Sequence, residues 1–256
     1  MGGRGRGTGD ANYFRDYKRL APFAKLATSY MIARRISPAL LCGTDKKADM
    51  KAVYFVRHGS TEGNEQGAYQ HLYTPLSELG RRQAEFVARR FERIPVDIVI
   101  ASDMERAAET GRRIAERNKF PIVFDPLFQE ILRPAILRGK RRNAPEALEM
   151  MRFLAENWTN ARVRHSNEEN FFDLKTRALK ALEYLVERPE RTLLVVTHGT
   201  FMCMLICCMM SGEEVSPELF DRIHHFLVLK NTAISVCEYD NGKWQLVIWN
   251  DHAHLG

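Results

Sequence analysis

Two stretches of this chain run as β-branched and apolar residues and then stop on a histidine followed by glycine: "YFVRHG" at residues 54–59 and "LLVVTHG" at residues 193–199. Short apolar runs of this kind, bounded by glycine and small polar residues, read as strands. Strand-like and helix-like segments alternate from residue 50 onward, the pattern of an α/β domain with a largely parallel sheet. The strand candidates are residues 51–56, 96–101, 121–124 and 192–197, with 233–239 and 243–249 joined by "DNGK" as a hairpin at one edge. The fold class expected is a three-layer α/β/α arrangement around a mostly parallel central sheet.

Helical periodicity fills the intervals. Ala84, Val87, Ala88 and Phe91 recur at i, i+3, i+4 and i+7 after Ser77, a potential cap. Leu174, Ala178, Ala181, Leu182 and Leu185 make a second stripe that ends before Pro189. Pro145 opens a third helix, whose Leu148, Met151, Ala155 and Trp158 share a face. All three stripes are expected to be core, and no internal repeat is visible.

A chain of 256 residues has room for one substantial core and an appendage. Residues 1–49 are expected to be an N-terminal extension, glycine-rich over 1–10 and partly helical within 11–41, ahead of a self-contained domain at 50–256. Met50 stands directly before "KAVYFVRHG", so translation beginning at Met50 is an expectation that the intact mass of the native protein decides. The longest apolar run, residues 201–210, is too short to cross a bilayer.

The net charge of +6 is scattered among the helices, without arginines and aromatics interleaved in one stripe. That distribution suits a basic cleft for a small anion and argues against nucleic acid as a partner. Five cysteines, an odd count with no C-x-x-C pair, read as buried reduced thiols of a cytoplasmic protein.

Ligands of open α/β sheets sit beyond the carboxyl ends of the strands, where helix N-termini offer unpaired N–H groups. His58 and His198 are therefore expected to face one crevice. A third strand, "VDIVIA", leads into "SDMERAAETG", where Ser102 or Asp103 is expected to cap a helix with Arg106 in its first turn. Arg57 and Arg106 would then meet from neighbouring strands. Guanidinium groups bind phosphate oxygens bidentately, so two arginines and two histidines around a point describe a site for a phosphoryl dianion. No G-x-x-x-x-G-K-[ST], G-x-S-x-G or H-E-x-x-H occurs, which leaves histidine as the nucleophile; fixed positive donors around the phosphoryl group stabilise its charge unaided, so neither metal nor cofactor is implied. His71, His165, His224, His225, His252 and His254 have no evident partner and read as structural or surface residues.

These segments resemble the signatures of the histidine phosphatase superfamily, also called the phosphoglycerate mutase-like family. "VRHGSTEGN" is similar to its Arg-His-Gly-x-[Ser/Thr]-x-x-Asn, "SDMERAAET" to its Ser-x-x-x-Arg-Ala-x-x-Thr helix, and "VVTHGTFMC" to its second histidine segment, in the family's order. The resemblance runs through most of residues 50–256 and implies a phosphoglycerate mutase-like fold. It implies that His58 attacks phosphorus and becomes phosphohistidine, while Arg57, Arg106 and His198 clamp the transferred oxygens. Thr61, Asn64 and Gly199 join them as phosphate-binding residues by the same resemblance. Glu130 follows the third strand, where the family carries its proton donor; the alternative is an exposed carboxylate paired with Arg133.

The segment after Glu130 departs from its relatives. Ile131, Leu132 and Arg133 stand where phosphoglycerate mutases carry Arg-His-Tyr-Gly, which disfavours a glycolytic mutase, and the Glu-x-x-x-Gly-x-x-Glu-Gly of many phosphatases is also absent. Arg133, Arg138, Lys140, Arg141 and Arg142 form either a basic lid that recognises further negative charge or a solvated face. The expected function is a metal-independent phosphomonoesterase acting on a phosphorylated small molecule, with a phosphoprotein as a second substrate class. A phosphomutase using the same site is the first alternative, and a non-catalytic sensor of phosphorylated ligands the second. The oligomeric state is left open.

Overall fold

Alternation along the first strand, β1 (Lys51–Arg57), sends Val53 and Phe55 to one side of the sheet and Tyr54 and Val56 to the other. The computed structural model describes residues 50–256, and the expectations for residues 1–49 lie outside the described residues. After β1 come α1 (Glu62–Gln66), α2 (Glu78–Arg90), β2 (Ile98–Ala101), α3 (Glu105–Asn118) and β3 (Ile122–Phe124). Then follow α4 (Pro145–Glu156), α5 (Phe171–Glu187), β4 (Thr192–Thr197), α6 (Gly199–Ser211), α7 (Pro217–Phe226), β5 (Ile234–Asp240) and β6 (Lys243–Asp251).

The six strands form one sheet in the order β3-β2-β4-β1-β5-β6, parallel from β3 to β1 and antiparallel from β1 through β5 to β6. The edge hairpin turns at Asn241 and Gly242, both at positive φ (49° and 77°), as a two-residue turn of the Asn-Gly type requires. One face of the sheet packs on α5 and α6 through Phe55, Ile100, Leu193, Val195, Leu174 and Phe201. The other packs on α2 and α3 through Val56, Val99, Val196, Val87 and Ile114. Both faces being covered, β4 is buried along nearly its whole length, which explains why it reads as a continuous apolar run.

Three expectations change. The sheet order inserts β4 between β1 and β2, so Arg57 and Arg106 do not come from neighbouring strands. Periodicity reports which residues share a face; it carries no information about which strand lies beside which. The α4 stripe is core only in part: Met151 and Trp158 are half-buried, Ala155 is exposed, and Leu148 is 53% exposed. Ser102 and Asp103 are not the cap of α3, since Met104 is its N-cap residue. The Ser102 hydroxyl does accept a hydrogen bond from the Met104 N–H, but its other partner lies in the site.

Ser77 caps α2 as expected, accepting from the Gly80 N–H at 3.0 Å. This helix start is pressed against the loop after β1: a Cβ on Gly80 would lie 1.9 Å from the Ser60 carbonyl oxygen. Only glycine permits that approach. Cys203, Cys207, Cys208 and Cys237 are free thiols buried in the core. Among the described residues, no helix is long and apolar enough to cross a membrane.

Candidate active site

Strand register builds the site. Parallel pairing sets Arg57 opposite Thr197, so the next residue of each chain segment is a histidine, and the His58 and His198 rings stand 5.0 Å apart between centroids. The His58 N–H donates to the Thr197 carbonyl at 3.0 Å, holding the two ends together. On the other flank of β4, Ala101 pairs with Val196 and the Ser102 N–H donates to the Val196 carbonyl. That places the Ser102 hydroxyl 2.9 Å from His198 Nε2. α3 begins just beyond and delivers Arg106.

The His58 ring is oriented by its own backbone. Nδ1 lies 2.7 Å from the Gly59 carbonyl oxygen, an acceptor only, so Nδ1 carries the proton and donates. Nε2 is then left with a lone pair, and Arg106 Nε donates to it at 3.3 Å. Burial, followed by the charges of Arg106 and Arg57, holds this imidazole well below its ordinary value. Burial, Arg106 and His58 do the same to His198. Both rings are therefore neutral near pH 7.

Arg106 is anchored by Nη1 donating to the His71 carbonyl at 3.0 Å. Burial lowers its pKa to about 10, so it remains cationic at neutral pH. Arg57 donates from Nη1 to the Leu229 carbonyl at 2.5 Å, while its Nε is buried with no partner. That Nε faces the backbone at Gly199, where an added Cβ would sit 3.6 Å away. His198 Nδ1 is likewise buried and unpartnered.

Glu130 lies in the same pocket and docks on the start of α6. Its Oε1 accepts from the Ile131 and Phe201 N–H groups at 2.9 and 3.0 Å, and Oε2 from the Thr200 N–H at 3.1 Å. The pairing with Arg133 weighed from the sequence is not made; the Arg133 guanidinium approaches Met151 Sδ at 3.6 Å.

The remaining candidates divide. Asn64 lines the pocket, whereas Thr61 is fully buried with its hydroxyl capping α1 and its N–H bound to Asn64 Oδ1. Gly199 opens α6 beside Arg57. Of the basic segment, Arg133, Arg138 and Arg142 line the pocket, while Lys140 approaches Glu146 at 4.0 Å. The cavity onto which Arg57, His58, Asn64, Arg106, Glu130 and these three arginines open is about 350 Å³; Thr61, His198 and Gly199 lie outside its lining. Among the described residues, no three His, Cys, Asp or Glu side chains gather as a metal ion would need.

Several residues escaped sequence reasoning. His71 and His224, read as structural or surface, line the pocket. Asn231 donates to the His58 carbonyl at 2.8 Å, from the loop before β5. An antiparallel β5 beside β1 begins where β1 ends, which brings Asn231 to His58, but that pairing is set by the sheet order, which the sequence did not carry. Arg177 and Glu169 hold the Glu130 segment from behind, and two side chains far from any motif left no trace either.

Comparison with known proteins assigns the family and the fold. The sequence matches the histidine phosphatase superfamily (branch 1) across residues 53–252. A probable phosphoglycerate mutase GpmB of Yersinia pestis (strain Pestoides F) is 30% identical over 215 residues, covering 80% of this chain and 95% of that protein. The structure of Bacillus stearothermophilus YhfR superposes with a TM-score of 0.68 at 26% identity, covering 80% of this chain and 100% of the other. A putative alpha-ribazole-5'-P phosphatase from Escherichia coli shares the fold, with a TM-score of 0.67 at 22% identity over 78% of this chain and 97% of its own. From residue 53 to residue 252 this chain belongs to the histidine phosphatase superfamily, branch 1.

Proposed function

We propose that residues 50–256 form a metal-independent phosphatase, which hydrolyses small phosphomonoesters in the cytoplasm through a phosphohistidine at Nε2 of His58. The observation that carries this reading is the His58 tautomer: Nδ1–H is spent on Gly59, and a neutral Nε2 lone pair faces Arg106 at 3.3 Å. A neutral imidazole is a competent nucleophile near pH 7, and dividing hydrolysis between two transfers lowers each barrier.

In the first transfer Nε2 forms a bond to phosphorus as the phosphorus–oxygen bond of the ester breaks. The leaving alkoxide takes a proton from the Glu130 carboxyl. Oε2, which accepts a single backbone bond where Oε1 accepts two, is the oxygen freer to turn toward the leaving group. In the second transfer the Glu130 carboxylate takes a proton from water, the water oxygen bonds to phosphorus, and the nitrogen–phosphorus bond breaks to release inorganic phosphate. Arg106, the unpartnered Nε of Arg57 and the unpartnered Nδ1 of His198 are the groups available to the equatorial oxygens. Such orphaned buried polar atoms ask for a partner, and a phosphoryl group offers three oxygens. Buried free thiols at Cys203, Cys207, Cys208 and Cys237 support a reducing compartment.

The relative named as a probable phosphoglycerate mutase favours a second reading, in which the phosphoryl group returns to an organic acid instead of to water. Rapid-quench labelling with a ³²P-phosphomonoester tests both. The expected result is acid-labile label on the wild type, none on His58→Ala, and inorganic phosphate as the product. Isomerisation of 3-phosphoglycerate outrunning phosphate release would favour the mutase. Binding without turnover across a broad panel of phosphoesters would leave a sensor.

A further inference from the structure

The proposed reaction leaves two histidines of the pocket idle, His71 and His224. The His71 ring is already committed: Nδ1 accepts from the Tyr73 N–H at 3.2 Å, and the ring lies tilted against that of Tyr73, 5.4 Å between centroids. His224 has no hydrogen-bond partner among the described residues, and both of its ring nitrogens stay open to solvent. Its neighbour on the same helix differs, since His225 Nδ1 lies 2.7 Å from the Asp221 carbonyl oxygen.

The His224 ring is nonetheless fixed in place. It stacks on Phe220, one turn earlier in α7, with centroids 5.5 Å apart and planes 20° from parallel. Phe220 is 4% exposed and is itself packed by Trp158 at 5.9 Å and Phe171 at 6.5 Å. The half-buried His224 ring therefore ends an aromatic stack and lines the cavity with its nitrogens unclaimed. Among the titratable groups around it, Glu130, His225, Arg133 and Asp221, Glu130 acts on it most strongly. Glu130 is the proposed proton donor to the leaving alkoxide, so His224 stands on the side of the pocket that receives the leaving group. Burial lowers its pKa, which leaves the ring neutral near pH 7, with one nitrogen donating and the other accepting. A hydroxyl can satisfy either nitrogen, whereas an anionic oxygen satisfies only the donor.

We propose that His224 is a specificity-determining residue, which hydrogen-bonds a hydroxyl carried by the leaving alcohol, so that polyol phosphates are preferred over alkyl phosphates of the same length. This deepens the phosphatase reading and rests on it. A ring held by stacking loses little freedom on binding, and a polar group in a partly desolvated wall disfavours the analogue that lacks the hydroxyl. A packing role alone would make the nitrogens of His224 dispensable, and phenylalanine would serve as well on the face of Phe220.

Two probes with the same carbon skeleton isolate the contact: glycerol 3-phosphate, whose leaving alcohol carries further hydroxyls, and n-propyl phosphate, whose leaving alcohol carries none. The expected result is a kcat/KM about tenfold or more higher for glycerol 3-phosphate in the wild type. His224→Phe keeps the stack and removes the nitrogens, and should lower that ratio by about fivefold or more. His224→Leu should lower it as well, which keeps the test open if His224→Phe fails to fold. A wild-type ratio near one, or a ratio unchanged in the folded variants while p-nitrophenyl phosphate is still hydrolysed, overturns the role of His224 and leaves the phosphatase reading standing. If the wild type turns over no phosphoester, the phosphatase reading fails and calorimetry decides the contact. Glycerol 3-phosphate binding more tightly than n-propyl phosphate, with the difference lost in His224→Phe, supports it; equal affinities, or a difference that survives in the variant, overturn it.

Discussion

Arg177 and Glu169 meet through two parallel hydrogen bonds of 2.7 Å, and each also holds the segment that carries Glu130. Arg177 Nη1 donates to the Leu127 and Gln129 carbonyls, and Glu169 Oε2 accepts from the Leu132 N–H. Both side chains are only 16% exposed, and the guanidinium lies 4.2 Å from the Phe201 ring centroid. The pair is a clamp between α5 and the loop on which the proposed proton donor sits. Arg177→Ala should cost about 3 kcal/mol, because it strands a buried carboxylate and two carbonyls. It should also lower kcat on p-nitrophenyl phosphate more than it raises KM. Urea titration and steady-state kinetics check the two effects, and Arg177→Lys should recover part of the stability and little of the kcat.

Acid should weaken this fold before carboxylates begin to titrate. His58 and His198 are held neutral, by burial first and by Arg106 next, with folded pKa values well below 6.5. Once the pH falls past 6.5, the unfolded chain binds protons that the folded chain refuses. The stability these neutral rings contribute is therefore complete above that value and is lost as the pH drops toward their folded pKa values. Each can contribute a slope of up to about 1.4 kcal/mol per pH unit across that window. His224 and His254, also lowered by burial, act with the same sign. The urea midpoint should fall between about pH 7.5 and pH 5.5, and His198→Asn should flatten the dependence. A midpoint constant over that range would contradict the neutral-ring assignment.

Ser102 is predicted to act through His198. Its hydroxyl, fully buried, reaches His198 Nε2 at 2.9 Å and accepts from the Met104 N–H at 3.2 Å. Ser102→Ala should cost about 1–2 kcal/mol of stability and reduce kcat on p-nitrophenyl phosphate by roughly tenfold. A purely structural role would leave the ¹⁵N shifts of the His198 ring where they are; a change in its tautomer balance is the expected signature.

Gly80→Ala should disable the protein from outside the pocket. The new methyl carbon would start 1.9 Å from the Ser60 carbonyl oxygen, which belongs to the backbone of the loop after His58. Relief requires α2 and that loop to part. A loss of about 2 kcal/mol or more is expected, with activity falling further than the unfolded fraction explains. Alanine at Gly67, where an added Cβ meets nothing but φ is +65°, is the control for backbone strain alone.

Much of this arrangement was legible in the residues. The runs ending on His58 and His198 announced their strands because alternation and β-branching act locally, and the parallel register then placed the rings side by side. Ser77 and the Asn241–Gly242 turn were legible for the same reason: a cap and a tight turn are decided within a few residues. The insertion of β4 between β1 and β2 was not, since strand order depends on how helices pack over the whole sheet. Leu148 misled because helical spacing marks a face without saying that another layer will cover it. Ser102 was read as a cap from its place before α3, and only the third dimension shows its hydroxyl turned to His198. Glu130 was singled out by the family resemblance, which puts a proton donor after the third strand, while its grip on the start of α6 depends on a contact across 70 residues of chain.

The return of the last strand pair to β1 has a consequence for synthesis. The loop before β5 supplies the carbonyl of Leu229 to Arg57 and the side chain of Asn231 to the backbone of His58. On a ribosome His58, the proposed nucleophile, leaves the exit tunnel long before Leu229 and Asn231, whose contacts hold its strand end. Those contacts are missing while most of the nascent chain is still being made, so a stalled or prematurely terminated product ending before that loop would lack them and leave the β5-facing edge of β1 unpaired.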